Sequence, residues 1–146
     1  MRRQAGFTLI EILVVLAILG VVLGLIIGRG PTGSRYLQTR AAAGALAQTF
    51  RAARAAAIVT DHDVTVAVDP YRHRFAMDKG PVRLLGADVP MALIPPVLPG
   101  PGTTRIFRFS PDGSASGGGV LLGAGKRRLG ITVEWLTGKV SVSDAP

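Results

Sequence analysis

Four short stretches carry residue types able to do chemistry. Glu11 lies alone in the apolar run Gly6-Phe7-Thr8-Leu9-Ile10-Glu11 and the ILVVLAILG that follows it. A carboxylate near the middle of a bilayer costs on the order of 2.5–3.5 kcal/mol, so an acid in such a run is a functional residue by default. Asp61-His62-Asp63 sets three possible metal ligands side by side. Adjacent side chains seldom converge on one ion, and the chain has only two histidines and no cysteine, so no metal is expected there. Gly117-Gly118-Gly119 lacks the Gly-Lys-Ser/Thr that a phosphate cradle needs, and a strand follows it; it reads as a hairpin loop. Lys126-Arg127-Arg128 suits nucleic-acid phosphate or an acidic partner, and equally a solvated loop joining two strands. His73, between Arg72 and Arg74, reads as a structural residue of a strand, and neither histidine belongs to a motif that would activate a serine. Neither catalysis nor a cofactor is expected.

These residues need elements to position them. Residues 7–28 carry one charge, Glu11, over about 22 residues, and as a helix they would span about 33 Å, close to the hydrocarbon thickness of a bilayer. Arg2 and Arg3 precede this run, which predicts a cytoplasmic N-terminus and export of the rest. A cleaved secretory signal has a shorter apolar region ending in a small-x-small site, and LGLIIGRG offers none. A plain anchor explains length and orientation but leaves Glu11 without a role.

The segment GRGPTGS, residues 28–34, predicts a kink or short break near Pro31. A helix follows, with Leu46, Phe50, Ala53 and Ala57 on one face and Arg40, Arg51 and Arg54 off that stripe, read as solvated. After Asp61 the period changes. VTVAVD alternates as a half-buried strand; HRFAMD, PVRLL, TTRIFRFS, GGGVLLG and RLGITVEWL read as further strands, and the last hairpin turns around Thr137-Gly138. VPMALIPPVLPGPG, with five prolines, reads as an irregular loop. One helix followed by short strands predicts an α+β domain with antiparallel pairing.

Composition bounds the remainder. The chain has 146 residues, one domain's worth beyond the apolar segment, and no cysteine for disulfides or thiolate metal sites. Its formal charge of +8 suits acidic lipid, nucleic acid or an acidic protein without choosing among them.

The Gly-Phe junction, the glutamate offset, the leader charge and the long apolar run together resemble the class III signal of type IV pilins and type II secretion pseudopilins. The resemblance implies cleavage by a prepilin peptidase between Gly6 and Phe7, methylation of the new amine on Phe7, and Glu11 as the fifth residue of the mature chain. It also implies an assembly role for Glu11, paired with the cationic amine of a neighbouring subunit. Two charges that are costly alone in an apolar core become tolerable together. Phe7 and Glu11 also lie four residues apart, so a pairing within one helix stays open.

FRFSPDGSASGGGVLL and GITVEWLTGKVSV resemble the signature of the H pseudopilin of type II secretion, the GspH/FimT-like group. Phe109, Pro111, Asp112, Gly113, Gly117, Ile131, Val133 and Thr137-Gly138-Lys139-Val140 sit on that pattern. The expected fold is pilin-like α+β: an N-terminal transmembrane helix continuing, with its break near Pro31, into a helix packed on an antiparallel β-rich head. The expected organisation is a leader over 1–6, a transmembrane helix over 7–28, a linker and amphipathic helix over 29–60, and the head over 61–146.

The implied function is that of a minor pseudopilin, single-pass in the inner membrane with a periplasmic head, assembling at the pseudopilus tip. Its implied partners are other pseudopilins, the prepilin peptidase, membrane lipid and an exported protein. The alternative is a FimT-like minor pilin of a type IV pilus, the one reading in which DNA is a partner, with Lys126, Arg127 and Arg128 as contacts. A third is an anchored binding domain that never assembles.

Overall fold

The computed structural model describes residues 9–28, 32–78, 80–95, 100–125 and 128–145, the side chains of 25–34 excepted. The break expected near Pro31 lies outside them. The chain divides into two units, Met1–Thr32 and Gly33–Pro146. The first contains helix α1, Leu9–Gly28. The second contains nearly all of helix α2, Thr32–Thr60, and eight strands.

Alanine, the best helix former, makes up ten of the 29 residues of α2, so the segment needs few tertiary contacts to choose its conformation. Its buried face is the stripe legible in the sequence: Leu46, Phe50, Ala53 and Ala57 are all inaccessible to solvent, joined by Ala43 and Ala47. Small side chains let the strands approach closely. Phe50 is the large knob, its ring 4.8 Å from Phe107 and 6.0 Å from Phe109 between centroids, both tilted. Burying one such ring stabilises the fold by up to about 3 kcal/mol.

The strands are β1 (Val64–Asp69), β2 (Arg74–Met77), β3 (Arg83–Leu84), β4 (Met91–Ile94), β5 (Arg105–Phe109), β6 (Gly118–Leu122), β7 (Arg128–Val133) and β8 (Val140–Ala145). They form two antiparallel sheets in the orders β3-β2-β1-β5 and β4-β6-β7-β8. Alternation places Val66 and Val68 of β1, Phe107 and Phe109 of β5, Val120 and Leu122 of β6 and Ile131 of β7 in one core with the α2 stripe.

Two expectations change. The proline-rich stretch is not wholly irregular: Met91–Ile94 forms β4 in register with β6, from Met91 opposite Leu122 to Ile94 opposite Gly119. Its prolines lie outside the strand, and β4 is an edge, where proline is tolerated. His73 is not in a strand. It ends the β1–β2 turn at φ 48° and its ring Nδ1–H donates to the Val89 carbonyl at 3.0 Å, fastening that turn to the segment before β4.

Candidate functional site

Helix α1 has no polar face. Every residue from 9 to 24 is exposed, with Leu9 at 83%, Ile10 at 71% and Val21 at 64%. A helix that is apolar all round requires lipid or other helices around it. Glu11, in its first turn, is the single ionisable group on this surface. An acid is favoured there by the helix dipole, whose N-terminal end is positive. Among the described residues no helix is long and apolar enough to cross a membrane. The part of α1 described with side chains, residues 9–24, is about 24 Å long. The processing junction, Gly6 and Phe7, lies outside the described residues.

The C-terminal pattern becomes a three-part closure. Ser110-Pro111-Asp112-Gly113 forms a turn closed by Gly113 N–H donating to Ser110 O at 2.9 Å. The Asp112 carboxylate accepts the Ser114 hydroxyl at 2.6 Å and its backbone N–H at 2.9 Å, and both hold the carboxyl below its ordinary pKa. At the second turn, Glu134 N–H donates to Lys139 O at 3.0 Å and Glu134 O accepts Gly138 N–H at 2.9 Å. With Gly138 at φ 59°, this is a bulge whose first position calls for glycine in the left-handed region.

The two turns meet. A methyl on Gly138 would strike the Gly113 carbonyl oxygen. Arg54 of α2 joins them from the other side, its Nε–H shared between Gly113 O at 3.1 Å and Thr137 O at 2.9 Å. The sheets are tied at the same place by Ala115 N–H to Trp135 O at 2.8 Å and Ser116 N–H to Arg108 O at 2.9 Å. Arg54 is therefore not a solvated residue. It is half-buried because it sits beside Ala53 at the edge of the buried stripe, within reach of carbonyls that the turns leave without strand partners. Arg51 is exposed as expected, yet Nη2 reaches the Val140 carbonyl at 3.4 Å. Sequence reasoning missed both roles; the local signal was arginine immediately flanking a run of buried small residues.

The other candidates disperse. Asp61 takes φ 55° at the end of α2, His62 Nδ1–H donates to Thr60 O at 2.6 Å, and Asp63 pairs with Arg108 at 3.4 Å. No group of metal ligands converges among the described residues. Gly118 and Gly119 begin β6, where a methyl on Gly119 would strike the Ile131 carbonyl of β7. Arg128 is the half-buried first residue of β7, opposite Ala145, rather than part of a solvated loop; Lys126 and Arg127 lie outside the described residues.

Asp69, buried at the β1–β2 turn, is a structural ion. Burial pushes its carboxyl up, but the Arg72 N–H at 3.0 Å, the Arg74 Nε–H at 3.2 Å and the charges of Arg74 and Arg72 outweigh burial and hold it below its ordinary value.

Residues 1–27 match the prokaryotic N-terminal methylation motif. The fold is similar to the crystal structure of the type IV minor pilin FimU of Pseudomonas aeruginosa, with a TM-score of 0.56 at 11% identity over 71% of this chain and 91% of that one. No curated protein matches the sequence. The fold is pilin-like, helices and an antiparallel β head in a chain that opens on an N-terminal methylation motif.

Proposed function

We propose that this chain is a minor pseudopilin of a type II secretion system, most like its H component. It is cut between Gly6 and Phe7, methylated on the new amine, held in the inner membrane by residues 7–28, and built into a periplasmic filament that helps drive export. The observation that carries the reading is α1: an all-round apolar surface bearing one carboxylate, Glu11, directly behind a methylation motif. In a bundle of such helices the surrounding apolar side chains come from other subunits, and a wrongly staggered neighbour strands Glu11 without its cation. The acid sets register, while burial of the apolar surface supplies the drive.

The choice of secretion rests on the C-terminal pattern, whose Pro-Asp-Gly and Thr-Gly-Lys segments close on Arg54. The likeness to FimU favours a second reading, a minor pilin of a type IV pilus. Deleting the gene in its own host separates the two. Loss of exoprotein export with surface pili retained supports the secretion reading. Loss of pili with export intact overturns it in favour of the pilus.

A further inference from the structure

Strand β8 is the outer edge of its sheet, with β7 on one side. The bulge at Gly138 fixes which of its backbone groups face outward. Glu134 and Lys139 form a hydrogen-bonded pair, so by the alternation of an antiparallel ladder Val140, Val142 and Asp144 point their N–H and C=O groups away from β7. The strand carries no proline or lysine to protect this edge, and residues 141–144 are exposed. Two clefts run beside it against α2, of about 550 and 410 Å³, the first reaching Lys139 and Val140, the second Val142 to Asp144. Arg51 lines both.

We propose that this edge is a strand-addition site that takes an extended, acidic segment of another protein. Three outward-facing residues offer six backbone hydrogen-bonding groups, one of them the Val140 carbonyl that Arg51 reaches, over roughly 14 Å, enough for a guest of about five residues. The charge of the walls selects the guest. Arg40, Arg51 and Lys139 stand along the clefts against Glu134 and Asp144, so carboxylates on the α2-facing side of the guest meet guanidinium groups. Arg51 already donates to one outward carbonyl, that of Val140, where a guest N–H would donate. This surface belongs to the head and is independent of α1 and of whether the protein serves a secretion system or a pilus.

The test uses the full chain in detergent micelles and a fluorescein-labelled seven-residue peptide alternating valine and glutamate, with its glutamine counterpart. Anisotropy should show saturable binding of the glutamate peptide, at least tenfold weaker for the glutamine peptide and for Arg51→Glu. Val142→Pro should abolish binding, because the N–H it removes faces the guest and not β7. Amide exchange over residues 140–145 of the unsubstituted protein should slow when the peptide is added, a readout that does not depend on any variant folding. Absence of saturable binding, equal binding of both peptides, or unchanged exchange overturns the proposal. Self-association that Val142→Pro abolishes and that excludes the peptide also overturns it, assigning the edge to a second copy of this chain.

Discussion

Glu11 and Arg54 solve opposite problems. Glu11 is the one ionisable group on the apolar surface of residues 9–24, and under the proposed function it sets the register between neighbouring subunits. Replacing it with alanine removes a desolvation cost and leaves membrane insertion unimpaired, while incorporation into filaments falls. Fractionation of the membranes, followed by immunoblotting of sheared filaments, reads both effects; normal incorporation of the variant contradicts the register role.

Arg54 is a cation whose partners are both within the head, and its removal leaves the Gly113 and Thr137 carbonyls short of a donor. Arg54→Ala is expected to lower stability by about 2–3 kcal/mol, as for a lost charge-assisted hydrogen bond. Gly138→Ala should cost at least about 2 kcal/mol, from backbone strain and from the clash with Gly113 O. Denaturant titration measures both.

Asp69 gives a pH signature. Its folded-state pKa lies below the unfolded value of about 3.9, so its contribution is complete above that value and is lost as pH falls through the folded-state value. Unfolding midpoints should therefore drop more steeply below about pH 4 for the natural chain than for Asp69→Asn. A slope that is the same in both would remove Asp69 from the account.

Among elements, α2 organises the head, because both sheets contribute to the core its small residues cover. Phe50→Ala should cost about 3–5 kcal/mol, since a ring packed on Phe107 and Phe109 leaves a cavity that neighbouring alanines cannot fill. A thermal unfolding shift of only a degree or two would contradict this packing.

How much of this could be read from the chain follows the range of the determining contacts. The stripe from Leu46 to Ala57 and the alternation in VTVAVD are local patterns and were legible. Strand β4 was not, because Met91–Ile94 is made a strand by pairing with β6 some thirty positions on, while its own neighbourhood is full of prolines. Arg54 was hidden for the same reason: its acceptors lie 59 and 83 residues away in sequence. The Pro-Asp-Gly and Thr-Gly-Lys segments were visible as turns, but not that Gly138 makes room for the Gly113 carbonyl and Gly113 for the Arg54 guanidinium.

For the whole molecule, the two units divide the labour. The N-terminal unit carries a helix that is apolar on every side over residues 9–24, and the head folds around its own core. Under the proposed function, processing and assembly supply the neighbours of that surface. Under the proposed function, cleavage before Phe7 would create a cation that the precursor does not have, four residues from Glu11 in sequence. Methylation of that amine would keep its charge. The matched methylation motif over residues 1–27 bears on this step alone and leaves the identity of the filament open.

The most direct measurement is mass spectrometry of the N-terminal peptide of the protein purified from membranes of a host with an active prepilin peptidase. The account predicts a chain beginning at Phe7 with one methyl group on its amine. A chain that retains Met1 to Gly6, in a host that processes its other prepilins, would contradict it.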